Sequence, residues 1–231
     1  MNTLIFFGFL VADVSALLIP ENIVNTIDTT DERSISNSFE QAIEGVSLAI
    51  KDAGLDPFYI DERRVSKALP VPVIFNGEAF IQEVLITGLS DIVVHKISFS
   101  LLTSRLYFDI EVPYVVASVG AASIETTVFG TKLDVKASGK VQIKNVRIAG
   151  QVRFSIGIFS GITVRRVRVK FSLGGIHSNV KLVIQGKNYS CKVNRYIEST
   201  IPNTIKAFNA EINELLEIIL MDILTEHLAR L

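Results

Sequence analysis

Arg105-Leu106-Tyr107-Phe108-Asp109-Ile110-Glu111-Val112 is the stretch on which the fold turns. In an extended chain, Leu106, Phe108, Ile110 and Val112 fall on one face, and Arg105, Tyr107, Asp109 and Glu111 fall on the other. The pattern recurs downstream. Leu133, Val135 and Ala137 interleave with Lys132, Asp134 and Lys136; Val152, Phe154, Ile156 and Ile158 with Gln151, Arg153, Ser155 and Gly157; Val167, Val169 and Phe171 with Arg166, Arg168 and Lys170. Strands with one wet and one apolar face mark an antiparallel sheet, here spanning about Pro70 to Ser190. Asn76-Gly77, Ser138-Gly139, Ala149-Gly150, Ser160-Gly161 and Gly174-Gly175 are the expected hairpin turns of a meander. Between Lys140 and Ile148 the alternation slips: Val141 and Ile143 share one parity, Val146 and Ile148 the other. That slip predicts a bulge near Asn145 that curls the sheet.

Helical signals flank this zone. Upstream, Ile35, Phe39, Ile43, Val46 and Ile50 recur at steps of three and four, which builds one apolar face over about Thr30–Ala53. Thr29 and Glu32 fit a capping box at its start, Gly54 suits its C-terminal end, and Asp56-Pro57 stops it. Asp61-Glu62-Arg63-Arg64 then reads as a solvated loop. Downstream, Asn203 to Leu231 is apolar on nearly every side; between Leu215 and Leu224 only Glu217 and Asp222 are polar, so burial over most of the circumference is expected. A half-apolar sheet and a helix needing enclosure are complementary. The expected fold is α+β: a long, curved antiparallel sheet wrapped around an N-terminal amphipathic helix and a mostly buried C-terminal helix.

Composition sets the outer bounds. The 231 residues carry 23 Lys+Arg against 24 Asp+Glu, a formal net charge of −1, which gives no basic excess for nucleic acid. Hydrophobic residues make up 48% with only 8% aromatic, and mean hydropathy is +0.40, so the surplus is aliphatic. Leu4 to Ala12 is an apolar run too short for a bilayer span but suited to a signal peptide, and Val14-Ser15-Ala16 supplies small residues for cleavage. Residues 1–16 are therefore expected as a cleaved leader, and 17–231 as a single domain that is secreted and extracellular. In that setting Asn188-Tyr189-Ser190 is a glycosylation sequon at Asn188, and the single Cys191 is either an intermolecular link or, as expected here, a buried free thiol. Glu211, Glu214, Glu217 and Asp222 interrupt the last helix too often for a transmembrane segment.

Catalytic chemistry finds no footing in the motifs. No nucleophile elbow, glycine-rich phosphate loop or His-Glu-x-x-His occurs, and His95, His177 and His227 stand apart without carboxylates at ligand spacing. No catalytic residue, metal or cofactor is expected. Arg166, Arg168 and Lys170 project from one strand face and offer a contact for an anionic lipid surface. The inward members of the strands, Phe108, Ile110, Phe154, Ile156, Val169 and Phe171, with Phe39, Ile43, Phe208 and Ile212 from the helices, are the expected lining of an apolar pocket.

Two short segments, Gly54-Leu55-Asp56-Pro57-Phe58 after the capped helix and Glu83-Val84-Leu85-Ile86-Thr87-Gly88-Leu89-Ser90 at a strand end, carry a resemblance in this element order. The chain resembles the insect and mite branch of the tubular lipid-binding superfamily. Within it, the likeness is to the group 7 mite allergen-like proteins and, more distantly, to the takeout and juvenile-hormone-binding proteins. Those latter proteins carry a cysteine pair near the mature N-terminus; Leu17 to Phe58 has none, which tells against juvenile hormone as the ligand. The resemblance implies a secreted, non-catalytic carrier or sensor of lipids or other small apolar ligands. The alternative is an interaction or immune-recognition protein with a filled core that meets microbial or membrane surface lipid through its outer face.

Overall fold

The computed structural model describes residues 32–157 and 161–228. The expected leader, Thr29 of the capping box and the last three residues lie outside them. Helix α1 (Glu32–Asp52) turns its apolar stripe inward: Ile35, Phe39, Ile43, Val46 and Ile50 are all buried. Gly54, at φ 68°, closes its C-terminal end, as its lack of a Cβ permits.

Seven strands follow: β1 (Phe58–Ala68), β2 (Phe75–Thr87), β3 (Val93–Ser100), β4 (Arg105–Val128), β5 (Thr131–Gly157), β6 (Gly161–Ile184) and the short β7 (Lys187–Asn188). They form one antiparallel sheet in the order β1-β2-β4-β5-β6-β7; β3 pairs with the first part of β4, along the edge whose later part β2 occupies. The strands are much longer than a meander of short hairpins: β5 runs 27 residues, a contour of about 90 Å at the usual rise. Four expected turns are strand interior instead. Ser138-Gly139 and Ala149-Gly150 lie within β5, and Gly174-Gly175 within β6, while Asn76-Gly77 sits in β2. Glycine there serves close approach rather than reversal. A Cβ at Gly150 would fall 2.2 Å from the Arg168 carbonyl oxygen and 2.7 Å from the Phe108 ring, which lies across it. The cluster Asp61-Glu62-Arg63-Arg64 is likewise not a loop; it is part of β1, where charge suits an outer strand.

Near Asn145 the structure replaces the expected bulge with a crease. Pairing keeps its register through this point, and the register shifts fall elsewhere, at Val94/Lys96, Val119/Ala122 and Arg153/Phe154. Pro113, Asn145 and Gly174 are aligned across β4, β5 and β6, and the ladder skips all three. Asn145 is left-handed at φ 51°, Pro113 has no N–H to offer, and a Cβ at Gly174 would lie 2.8 Å from the Asn145 Cβ. On one side of the line the apolar row is Ile110, Ile148 and Phe171; on the other it is Val115, Ile143 and Ile176. The parity change read from the sequence is real, and it happens in three strands at once. A second line, Asp61, Glu83 and Gly120, is skipped in the same way across β1, β2 and β4, with Glu83 at φ 51°.

After the sheet come α2 (Ser190–Arg195), a π-helical turn (Tyr196–Thr200), α3 (Ile201–Ala207, with Pro202 in its first turn) and α4 (Asn209–Leu228). The core lies at one end of the sheet, between α1, β3, the first part of β4, the last part of β5, the first part of β6 and α4. Leu224 of α4 is buried, and Leu216, Leu220 and Met221 pack against the core. Enclosure of this helix is partial: Leu215 and Ile218 are about half exposed, because its outer side faces no strand.

Candidate functional site

Side chains of the helices close the β6 edge of the sheet and its β3 edge. An edge strand presents backbone N–H and C=O groups that need partners. Along β6, the N–H groups of Leu182, Val180 and Ser178 donate to Ser190 Oγ (3.0 Å), Asn194 Oδ1 (2.8 Å) and Glu198 Oε1 (2.7 Å). Further on, Phe171 and Val169 donate to Asn213 Oδ1 (2.8 Å) and Glu217 Oε1 (3.0 Å), and Asn209 Nδ2 donates to the Phe171 carbonyl (3.1 Å). Acceptors every four residues on a helix rise about 6 Å and match strand positions every two residues, about 6.6 Å apart. The same device operates at β3, where Phe99 and Leu101 donate to Ser36 Oγ (3.0 Å) and Glu32 Oε1 (2.6 Å) of α1.

These bonds also fix which face is concave. Along one strand, N–H direction and side-chain side alternate together. Val169 and Phe171, then Ser178, Val180 and Leu182, all aim their N–H groups at the helices, so all five share the face that holds the core. Directly opposed residues on neighbouring strands share a face as well. In the covered end the row Phe99, Leu106, Val152 and Val167 is no more than 7% exposed. Past the crease the row Phe58, Ile86, Ala117, Val141 and Ser178 is half-buried throughout, and so is Val115-Ile143 beside a buried Ile176. Among the described residues the core cluster takes in no residue of this part of the sheet, and α2 runs along its β6 edge. The site is therefore an apolar trough on the concave face, sealed at one end.

The residues expected to line a pocket divide along this boundary. Phe39, Ile43, Phe154 and Val169 are buried members of the core, and Phe108 and Ile110 pack against it. Phe171 and Ile212 are half-buried, and only the row Val112-Val146-Leu173 separates Phe171 from the crease. Phe208 is 55% exposed, at the break between α3 and α4. The side chain of Ile156 lies outside the described residues. The trough residues Val115, Ala117, Val141, Ile143 and Ile176 were not singled out, although the phase slip was the signal that put them on this face.

Two anchors hold the trough's border. Asp56 accepts from Gly88 N–H (2.9 Å), Ser90 N–H (2.7 Å) and Ser90 Oγ (2.5 Å), joining the end of α1 to the end of β2. Burial pushes its carboxyl up, but the Ser90 and Gly88 hydrogen bonds outweigh that and bring it below the usual 3.8. The two segments quoted for the family resemblance are thus bound by a single carboxylate. On the convex face Glu111 joins three strands, meeting His95 Nε2 at 2.8 Å and accepting from Asn145 Nδ2 at 2.5 Å, while Arg147 clamps Asp109 with two 2.6 Å bonds.

Arg166, Arg168 and Lys170 are exposed on the convex face. Cross-strand pairing extends them into a row, Arg105-Arg153-Arg166, and among the described residues none of the five has a carboxylate within 4.0 Å. Asn188 is exposed, with its Oδ1 accepting from Ser190 N–H. Cys191 is exposed rather than buried, since α2 turns it away from β6. Among the described residues no three His, Cys, Asp or Glu side chains gather as a metal site, and no helix is long and apolar enough to cross a membrane.

With that geometry in view, the sequence matches the family model described as haemolymph juvenile hormone binding protein (JHBP) over residues 4–231. The chain belongs to that family. Takeout 1 of Epiphyas postvittana is similar in structure, with a TM-score of 0.45 and 14% identity over 87% of this chain and 93% of that one. A lipopolysaccharide binding protein aligns with a TM-score of 0.27 and 10% identity, over 81% of this chain and 37% of the other. No curated protein sequence matches the chain. The family is that of the juvenile-hormone-binding proteins, which the sequence resemblance places as more distant than the group 7 allergen-like proteins.

Proposed function

We propose that the chain is an extracellular, non-catalytic binder of small apolar molecules, lipids among them, which it seats on the concave face beyond the Pro113-Asn145-Gly174 crease. The observation that carries this reading is the half-buried apolar surface past the crease, which continues the face of the packed core but, among the described residues, is no part of its cluster. A ligand taking about 300 Å² of apolar surface out of water gains roughly 7 kcal/mol before the costs of binding. The family name supports small-molecule carriage in an extracellular fluid, and residues 1–16 and the exposed Asn188 sequon suit secretion and glycosylation. Phe108, Ile110 and Phe171 would border the ligand; the buried Phe39, Ile43, Phe154 and Val169 would support it from the core.

The test is native mass spectrometry of the purified chain together with titration by the apolar fluorophore N-phenyl-1-naphthylamine. Ala117→Trp, placed between Ile86 and Val141, should weaken the fluorophore about tenfold with the fold retained by circular dichroism. Unchanged affinity, or no uptake by the unaltered chain, overturns the proposal. The arginine row favours a second reading, contact with anionic lipid through the convex face. Under it, Arg166→Glu with Arg168→Glu should abolish binding to phosphatidylserine vesicles.

A further inference from the structure

The end of the sheet away from the core carries an apolar tip that the ligand reading does not use. It is made by the β1–β2 turn, Leu69-Pro70-Val71-Pro72-Val73-Ile74, and the β4–β5 turn at Phe129-Gly130. Val71, Val73 and Phe129 are exposed, Phe129 at 79%. The two turns are laced together: Phe129 N–H donates to the Ile74 carbonyl (3.1 Å) and Gly130 N–H to that of Val73 (2.9 Å). The apolar side chains are consequently held outward on a fixed platform. Few backbone donors are left needing water, since Pro70 and Pro72 have none and Ile74 and Leu69 donate within the turn. Phe129 is left-handed at φ 47°, a conformation that small polar residues or glycine adopt more easily, so local folding does not account for a phenyl ring there.

Charge identifies the occupant. From Lys67 to Gly77 and from Thr126 to Leu133 there is no Asp or Glu; the only charges are Lys67 and Lys132, joined by Lys187 at the start of β7. All three lysines are exposed. The nearest acids, Glu78, Glu125 and Asp134, stand one row behind, and Arg64 and Lys136 pair two of them. Apolar side chains ringed by unpaired lysines fit the boundary between anionic headgroups and acyl chains. We propose that this tip docks on a bilayer containing anionic lipid, with the two turns dipping below the headgroups and Lys67, Lys132 and Lys187 against them. The inference stands on the tip's own composition; joined to the ligand reading, it sets the open trough beside a source of apolar cargo.

The chain has no tryptophan, so Phe129→Trp creates a single reporter at the tip, and Leu102→Trp creates one at the 94%-exposed β3–β4 turn at the other end, beside the arginine row. Phosphatidylcholine vesicles with phosphatidylserine should shift the Phe129→Trp emission to the blue and leave Leu102→Trp unchanged. Lys67→Gln and Lys132→Gln should each weaken vesicle binding about fivefold. Val73→Asp with Phe129→Asp should abolish it while N-phenyl-1-naphthylamine binding in solution persists, which separates this proposal from the ligand reading. An unmoved Phe129→Trp spectrum, an equal shift at Leu102→Trp, or a shift that follows protein concentration without vesicles (a second copy on the tip) overturns the assignment.

Discussion

The covered end and the open half of the sheet share three strands, β4, β5 and β6, with the same alternation, yet only one becomes a core. Phe99, Leu106, Val152 and Val167 are sealed; Phe58, Ile86, Ala117 and Val141 are not. The difference lies at the edges. At the covered end both free edges are occupied, β3 by Ser36 and Glu32 of α1 and β6 by Asn213 and Glu217 of α4, and each helix brings an apolar stripe with its polar one. In the open half β6 is met by Ser190, Asn194 and Glu198, while β1 ends the sheet with a charged flank. Alternation makes a sheet amphipathic; what binds its edges decides whether the apolar side is filled.

The sharpest way to break this contrast is to truncate matched residues. Phe154→Ala at the covered end should cost about 3–5 kcal/mol in urea unfolding, and Ile143→Ala in the open half about 1–2 kcal/mol. Equal losses would mean that the open half is packed as tightly. Edge bonds come next. Asn213→Ala leaves Phe171 N–H without its acceptor in a part-buried setting and should cost about 1–2 kcal/mol; Glu198→Ala, at an exposed bond to Ser178 that water can replace, should cost under about 0.5 kcal/mol.

Asp56 sharpens the comparison through pH. Its folded carboxyl lies below 3.8, so its bonds to Gly88 and Ser90 stabilise the fold above that value and fade as pH falls through the lower folded one. Asp56→Asn should lower stability by about 1–2 kcal/mol near neutral pH. It should also flatten the loss of stability on acidification, as followed by urea midpoints at stepped pH. The smallest effect is expected at the edge of the open half: Glu78→Gln, which removes the exposed 3.2 Å pair with Arg64, should change stability by no more than about 0.5 kcal/mol.

Much of the fold is readable from residue periodicity, because the inward face of α1 and the alternating strands follow from side-chain spacing alone. The slip between Ile143 and Val146 marked the crease, but its form depended on Pro113 and Gly174, two residues distant in sequence that only pairing brings to Asn145. Glycine pairs misled for a related reason: Gly150 and Gly174 answer to a neighbouring strand, which local reading cannot see. Glu217 reads from the sequence as a limit on membrane insertion, whereas in the fold Asn209, Asn213 and Glu217, like Ser190, Asn194 and Glu198, keep a four-residue spacing that their bonds to the β6 edge explain. For the site, side-chain chemistry points to inward apolar residues only as a class. Which of them face packed core and which face the trough was set by where the helices end, a tertiary fact.

Paramagnetic broadening on a chain with labelled Ile, Leu and Val methyl groups tests the trough most directly, using a nitroxide-bearing stearate as guest. Methyls of Val115, Val141, Ile143 and Ile176 should broaden strongly and saturably, while those of Val152 and Val167 stay sharp. Broadening centred on the latter pair, or on neither, would contradict the account.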